Sequence, residues 1–166
     1  MMGPEAFSRL MDEHSAALIL YARQWCAAPE DVVQEAFLKL VGQRRSPEHP
    51  VAWLYRVVRN GAISAVRSAQ RRRRHEEAAG GRTPAWFVPS EAGGLDEQAA
   101  SAALRELPLE LREIIVAHLW GGLTFEQIGP LVGCSSSTAH RRYLEGLLAL
   151  REKLEKPWPS QSPIRS

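Results

Sequence analysis

The sequence predicts an all-α protein with two small helical domains joined by a flexible linker. Apolar residues recur at three- and four-residue spacing along most of the 166-residue chain, which is the period of an amphipathic helix. No segment of useful length shows the alternation typical of a strand. The helical pattern collapses only from about residue 78 to 94, where glycines and prolines cluster. A chain of this length fits one ordinary domain or two small ones, and the break favours two.

Three helices are predicted before the break. The first ends at the Ala-Ala-Pro segment 27–29. The second starts at Pro29, which suits a first helical turn, and ends at Gly42, where a loop begins. The third starts near Pro50 and extends to about Glu77.

Four helices are predicted after the break, over residues 95–107, 109–119, 124–131 and 136 to about 155. Thr124 and Gln127 have the spacing of a capping box, and Ser135 is placed to cap the last helix. Pro130 should kink or shorten its helix because it lacks a backbone donor. The predicted division is a first domain at 1–77, a linker at 78–94, a second domain at 95–156 and a disordered tail at 157–166.

Charge is distributed unevenly along the chain. The net charge is only +2, which by itself says little about partners. Residues 42–75, however, contain nine arginines against the single acidic Glu48 and carry a net charge of +8, whereas residues 1–41 carry −3. A block of this kind is typical of a surface that binds phosphates. The alternative is a solvated arginine-rich helix with no ligand.

The predicted third helix places its arginines along one face. Because successive residues advance by about 100° and 1.5 Å, the face would be about 27 Å long. Its members are Arg56, Arg59, Arg67, Arg71 and Arg74, with Asn60 beside them. Arginine suits the gripping of phosphates and bases in fixed geometry. Trp53 and Tyr55 near the helix start could stack an unpaired base, although a place in the core is the simpler interpretation of Trp53.

The segment 123–142 has the pattern of a helix-turn-helix. A short helix, a turn at 132–134 and a second helix that begins with small hydroxyl residues would let that second helix enter a major groove. The candidate contacts to base edges and phosphates are Ser136, Ser137, Thr138, His140, Arg141 and Arg142. A helical hairpin that does not bind DNA is the alternative, because helix pairs with a glycine turn are common.

Several classes of function are disfavoured. Cys26 and Cys134 lie far apart, which argues against a disulfide framework. The histidines, including His14 and His118 on apolar helix faces, show no metal-ligand spacing, and neither a phosphate loop nor a nucleophile elbow is present. We therefore expect no enzyme activity, no metal and no cofactor. The N-terminus lacks the features of a signal peptide, and no apolar run has the length of a membrane span, so we expect a cytoplasmic protein without a membrane span.

Two blocks of the sequence resemble a known family. They are PEDVVQEAFLKL with HPVAWLYRVVRN and RRRR, and ALRELPLELREIIVAHLWGGLTFEQIGPLVGCSSST. In this order, with a linker between them, they resemble the extracytoplasmic-function (ECF) group of the sigma-70 family, the RNA polymerase sigma factors with only regions 2 and 4. The resemblance implies that residues 1–77 are sigma region 2 and residues 95–156 are sigma region 4.

The resemblance also implies roles for particular residues. Contacts to the clamp helices of the polymerase β′ subunit would come from Asp31, Val32, Gln34, Glu35, Phe37 and Leu38. The −10 element would be held by the loop 43–50 and by Arg44, Arg45, Arg56, Arg59, Asn60, Arg67, Arg71 and Arg74. The −35 element would be met by Thr124, Ser135, Ser136, Ser137, Thr138, His140, Arg141 and Arg142. The chain departs from the family at Glu145 and Leu147, where basic residues are common.

The expected partners follow from the resemblance. They are core RNA polymerase, through its β′ clamp helices and β flap, promoter DNA, and an anti-sigma factor as a further possibility. Residues 76–100 would correspond to the connector that runs through the polymerase. Trp86, Phe87 and Val88 within it would either thread a partner's channel or anchor the segment on a domain. The rival functions are an autonomous helix-turn-helix transcription regulator and an adaptor whose arginines bind an acidic protein.

Overall fold

The computed structural model describes residues 2–78 and 95–155. Within these ranges the chain forms seven helices and no strand, which confirms the all-α prediction. The helices are α1 (Pro4–Ala22), α2 (Pro29–Val41), α3 (Pro50–Ala78), α4 (Leu95–Arg105), α5 (Leu109–Leu119), α6 (Phe125–Val132) and α7 (Ser136–Glu155). None of these helices is both long enough and apolar enough to cross a membrane.

The first three helices pack against one another as a small bundle. The core of this bundle contains Leu18, Val33, Leu54 and Val58, which are nearly or fully inaccessible to solvent. α2 and α3 approach each other closely at Gly61, where an added Cβ would lie 3.0 Å from Val32 Cγ1. The small residue therefore sets the distance between the acidic helix and the arginine-rich helix.

The last four helices form a second packed group. α7 contacts each of the other three, and α5 also packs on α6. The most deeply buried side chains include Ile114, Ile115, Leu123 and Ile128. Gly146 on α7 lies against α5, since a Cβ there would be 2.7 Å from Ile115 Cδ1. The helix-turn-helix segment is thus braced from behind by α5.

The helix ends show where local signals succeed. α6 has the predicted capping box: Thr124 Oγ1 accepts from the Gln127 N–H at 3.3 Å, and the Thr124 N–H donates to Gln127 Oε1 at 3.0 Å. Gly133 ends the helix in the left-handed region, with φ of +77°. Pro130 does not interrupt the helix, which continues to Val132. The bond that Pro130 cannot donate would have gone to the carbonyl of Glu126, and both residues are exposed to water.

Other boundaries differ from the prediction. α1 ends at Ala22, before the predicted break, because the N–H groups of Gln24 and Trp25 turn back to carbonyls three residues earlier. α4 ends at Arg105. The predictions for the linker, for its segment 86–88 and for the tail 157–166 lie outside the described residues.

The two helical groups touch each other. α1 packs against α5, and α3 packs against α6. A single cluster of buried apolar side chains includes Tyr21 and Tyr55 from the first group and Ile114 and Leu123 from the second. The described parts of the two domains therefore share one continuous core.

Candidate nucleic-acid interface

The exposed face of α2 is acidic and apolar. Asp31, Gln34, Glu35 and Leu38 all face solvent, and Leu38 is 65% exposed. Val32 is half-buried and lines a groove of about 700 Å³ between α2 and α3. These five side chains offer a surface on which a partner protein can bind through both charge and apolar contact.

Phe37 does not belong to that surface. Its side chain is only 3% exposed and lies edge-on to Phe7, with ring centroids 5.8 Å apart. The expectation that Phe37 contacts a partner is therefore corrected: this residue anchors α2 to α1. The phase of the helix explains the difference, since Phe37 shares the inner face with Val33 and Ala36.

Four arginines of the predicted face are exposed along α3. They are Arg56, Arg67, Arg71 and Arg74. Arg44 and Arg45 are also exposed, in the loop that joins α2 to α3. None of the six forms an ion pair among the described residues, although Arg71 Nη2 donates to Ser68 Oγ at 3.1 Å. The cations are free to meet phosphates.

Two other predicted residues of α3 occupy different positions. Asn60 lines the groove between α2 and α3, beside the acidic residues Asp31 and Glu35. Tyr55 is fully buried, so the expectation that it stacks an unpaired base is wrong for this conformation. Trp53 is half-buried and packs on the core, as the simpler interpretation held.

Arg59 is turned away from the exposed arginines. Its Nε donates to Glu113 Oε2 at 3.0 Å, and its Nη2 donates to Glu113 Oε1 at 3.4 Å. The guanidinium also lies 5.8 Å from the ring centroid of Trp25. Burial alone would lower the pKa of Arg59, but the hydrogen bonds and charge of Glu113 outweigh it and raise that pKa above its usual value. Sequence reasoning missed Glu113 altogether.

The start of α7 presents the predicted hydroxyl and basic residues. Ser135, Ser137, His140 and Arg141 are exposed, whereas the other three candidates on this helix are half-buried: Ser136, Thr138 and Arg142. Ser135 Oγ accepts from the Thr138 N–H at 3.1 Å and donates to Thr138 Oγ1 at 2.9 Å. Ser135 therefore caps the helix, and its hydroxyl is also bonded to that of Thr138. Thr124 is likewise engaged in its capping box.

Two features fix the orientation of α7: a close approach between backbone segments and a cluster of aromatic rings. A Cβ at Gly129 would lie 2.7 Å from the Cys134 carbonyl oxygen, so only glycine allows α6 to approach the turn this closely. The Phe125 ring stacks on His118 at 4.4 Å and also contacts His140 and Tyr143. His118 Nδ1 donates to the Leu123 carbonyl at 2.7 Å. Among these rings, the sequence indicated a packing role only for His118.

No metal centre emerges from the described residues, since they contain no group of three or more His, Cys, Asp or Glu side chains that could hold an ion. Cys26 is buried and Cys134 is half-buried, and both are free thiols. Burial raises the pKa of the Cys26 thiol. The surfaces that can bind a partner are therefore the α2 face, the α3 arginines and the start of α7.

Comparison with known proteins identifies the family to which the chain belongs. The model for sigma-70 region 2 matches residues 10–72, and the model for sigma-70 region 4 matches residues 97–150. The ECF RNA polymerase sigma factor SigL of Mycobacterium tuberculosis is 32% identical over 157 residues, covering 89% of this chain and 88% of the relative. RNA polymerase sigma factor CarQ of Myxococcus xanthus is 33% identical over 135 residues, covering 77% and 75%.

Solved structures share the fold. The sigma factor RpoE of Bartonella quintana, in complex with the anti-sigma factor NepR, superposes with a TM-score of 0.65 at 24% identity, covering 92% of this chain and 98% of that one. CnrH, in complex with the cytosolic domain of CnrY, gives a TM-score of 0.63 at 22% identity, covering 92% and 89%.

These matches define the class of protein, a sigma-70-type promoter-recognition factor with regions 2 and 4. Within that class, the chain belongs to the ECF group of RNA polymerase sigma factors. It binds core RNA polymerase and directs promoter recognition and transcription initiation. Sigma factors direct the polymerase to promoters and are not enzymes.

Proposed function

We propose that the two domains divide promoter recognition between them. Residues 1–77 act as region 2, which binds core polymerase and melts the −10 element, and residues 95–156 act as region 4, which recognises the −35 element. The observation that carries this proposal is the separation of charge within the first domain. α2 exposes carboxylates and Leu38, whereas α3 and the loop before it expose seven arginines, the six named above and Arg72.

The α2 surface is the proposed docking site for the β′ clamp helices. A mixed acidic and apolar patch suits a protein partner better than DNA, because carboxylates repel phosphates while complementary charge between proteins guides association. Leu38 would supply the apolar centre, with Asp31 and Glu35 at its edge. Gln34 and Val32 complete the contact.

The arginines of α3 are the proposed contacts to the −10 element. Arg56, Arg67, Arg71 and Arg74 would bind phosphates of the melted strand, and the loop 43–50 with Arg44 and Arg45 would hold an unstacked base. Capture of such a base offsets a few kcal/mol of unpairing and unstacking. Asn60 would join this surface from the groove between α2 and α3, and Arg59 would join it once it leaves Glu113.

The start of α7 is the proposed contact to the −35 element. The exposed Ser137, His140 and Arg141 would meet base edges and phosphates in the major groove. The caps that Thr124 forms on α6 and Ser135 forms on α7 with Thr138 would orient these two helices. Other backbone N–H groups at the start of α7 would remain for phosphates, with Ser136 and Arg142 at the margin of the contact. The surrounding helices would contact the β flap.

The remaining parts of the proposal concern setting and regulation. Binding to core polymerase places the chain in the cytoplasm, and we assign it no covalent chemistry of its own. One structural neighbour was solved with the anti-sigma factor NepR and the other with the cytosolic domain of CnrY, which supports an anti-sigma partner for the present chain. The connecting segment 78–94 would span the polymerase between the two promoter elements.

Charge reversal on α2 tests the polymerase contact. The variant Asp31→Lys with Glu35→Lys should weaken core binding at least tenfold in a titration with fluorescently labelled sigma factor. The matched control is Asp12→Lys with Glu13→Lys, which makes the same charge change at exposed positions of α1 and should leave the affinity unchanged. Equal loss in both variants would contradict a specific site on α2. Unchanged core binding with tight duplex binding by the protein alone would favour an autonomous regulator.

Removal of arginines tests the DNA contact. The variant Arg71→Ala with Arg74→Ala should weaken binding of the holoenzyme to a promoter and reduce the slope of log affinity against log salt by about 0.7 per lost phosphate contact on the melted strand. The control is Arg9→Ala with Arg23→Ala, at exposed positions of the same domain. A slope equal to that of the wild type would contradict the assignment of these two residues.

A further inference from the structure

Glu113 is the one charged side chain among the described residues that is buried, with 5% of its surface exposed. It lies on α5, between the core residues Leu111 and Ile114. A carboxylate at such a position is costly unless its oxygens are hydrogen-bonded and its charge is compensated. The partners of Glu113 therefore reveal what this position is built to contact.

The partners of Glu113 come from the other domain. Arg59 of α3 donates to both carboxylate oxygens, at 3.0 and 3.4 Å. The Tyr21 hydroxyl of α1 donates to Glu113 Oε2 at 3.4 Å. Burial, followed by the charge of Glu113, raises the pKa of Tyr21 well above its usual value, so this residue stays a neutral donor. Separation of the domains would remove all three hydrogen bonds at once.

Aromatic rings surround this polar group. The Tyr21 ring lies 4.9 Å from that of Trp25 and 4.8 Å from that of Tyr55. Tyr55 in turn lies directly on the second domain, because a Cβ at Gly121 would be 2.4 Å from the Tyr55 hydroxyl oxygen. The rings thus shield the ion pair from much of the solvent, which strengthens its electrostatic attraction.

The contact also has a weak point that keeps it reversible. The buried Tyr55 hydroxyl has no hydrogen-bond partner among the described residues. An unsatisfied buried donor disfavours the state that buries it. Closure of the two domains therefore combines a strong polar contact with a built-in penalty, as suits a contact that must open.

When the two domains pack together, Arg59 is held away from the arginine surface proposed to bind DNA. Arg59 is 25% exposed in its side chain, whereas Arg56, less than one turn earlier, faces solvent. A guanidinium that makes a two-pronged contact with a carboxylate cannot make the same contact with a phosphate. Glu113 and a promoter phosphate therefore compete for one side chain.

We propose that Arg59, Glu113 and Tyr21 form a latch that holds the two domains of the free sigma factor closed and keeps Arg59 from DNA until the domains separate. A phosphate of the promoter strand replaces the Glu113 carboxylate when the latch opens. The closure of the domains stands independently of the DNA roles, whereas the exchange of Glu113 for a phosphate rests on the function proposed above for α3.

The test uses the full-length protein without polymerase, in three variants. Glu113→Gln removes the charge, Tyr21→Phe removes one donor, and Glu110→Gln is the matched control at an exposed position on the same helix. Small-angle X-ray scattering measures the radius of gyration, which is about 15 Å for a compact chain of this length. Circular dichroism checks that each variant keeps its helices.

The expected result is a compact wild type and control, and a larger radius of gyration for Glu113→Gln. Tyr21→Phe should show a smaller increase, since it removes one neutral donor and leaves the ion pair in place. Either an expanded wild type or a Glu113→Gln variant as compact as the wild type would overturn the latch. If Glu113→Gln loses helix content, Tyr21→Phe decides the question. A folded Tyr21→Phe variant with the same radius of gyration as the wild type would then overturn the latch.

Binding to a single-stranded oligonucleotide carrying the −10 sequence tests separately whether the latch closes the domains and whether a phosphate competes with Glu113 for Arg59. Once the latch opens, Glu113→Gln should bind the strand at least fivefold more tightly than the wild type, and the added change Arg59→Gln should abolish this gain. An expanded Glu113→Gln variant with unchanged affinity would support the latch and overturn the role of Arg59 in holding DNA. A gain that persists without Arg59 would overturn the competition for this side chain.

Discussion

The structure allows a quantitative prediction of the coupling energy between Arg59 and Glu113. Two unit charges about 4 Å apart attract by about 4 kcal/mol at the effective dielectric constant of ~20 found near protein surfaces. The side chains are 25% and 6% exposed, so solvent screens part of this attraction. Exposed pairs contribute roughly 0.2–1 kcal/mol, and the breaking of fully buried pairs costs about 3–5 kcal/mol. We therefore expect a coupling energy of about 2 kcal/mol.

A double-mutant cycle measures this energy. The free energy of unfolding in urea is determined for the wild type, Arg59→Met, Glu113→Gln and the double variant, with helix content followed by circular dichroism. The coupling is the amount by which the two single losses together exceed the loss in the double variant. Equal dependence on urea across the four proteins would show that one unfolding transition is being compared.

The exposed pair Glu35–Lys39 serves as the control cycle. Its nitrogen and oxygen are closer, at 2.7 Å, but the side chains are 63% and 53% exposed. We expect only about 0.3–0.5 kcal/mol from such a pair on a helix surface. If the Arg59–Glu113 cycle gave a coupling as small as this control, the argument that burial between the domains strengthens the contact would be refuted.

Three further predictions concern single groups. Tyr55→Phe should raise the free energy of unfolding by about 1 kcal/mol, because it removes a buried hydroxyl that has no partner among the described residues; a loss of stability in urea would contradict this. Thr124→Ala should lower stability by about 1 kcal/mol through loss of the capping box, and Thr124→Ser should restore most of it. Burial is the main cause that raises the pKa of Tyr21; the charge of Glu113 raises it further, whereas the charge of Arg59 lowers it. The neighbouring Tyr55 also raises the pKa of Tyr21, and burial raises the pKa of Tyr55 itself. The stabilisation from neutral Tyr21 should be complete below the unfolded pKa of about 10 and lost as pH rises through the folded pKa. Phenolate absorbance should therefore show Tyr21 titrating later in the folded protein than in urea, and the same pH in both would contradict the burial.

Most of the helices could be predicted because their signals are local. Pro29 at a first turn, the Thr124 cap and Gly133 at a helix end each act through neighbouring residues, so the sequence contains all that determines them. The starts of α2 and α7 and both ends of α5 accordingly agree with the structure. The predicted end of α1 lies too late in the chain. Trp25 keeps the apolar spacing of the helix, but the backbone at this residue already forms a turn.

The candidate site could be predicted only where exposure follows from helical phase. The exposed arginines of α3 are of this kind. Phe37 was assigned to the polymerase contact by the family resemblance, although the apolar spacing of its helix places it on the buried side, where the structure has it. Glu113 gave no signal at all, since a charged residue in a helix normally indicates the solvent side, and its partner Arg59 lies 54 residues away.

Arg59 shows how a small change of phase separates two functions on one helix. It lies about 60° around the helix from Arg56, so it borders both the arginine face and the buried side that carries Tyr55 and Val58. A residue at this border can turn its long side chain toward either surface at little cost in backbone geometry. The residues on the middle of the face have no such choice, because no carboxylate of the second domain pairs with them in the described structure. Only an arginine at this border can couple the closure of the domains to binding of the promoter strand. Substitution of Glu113 makes this coupling measurable.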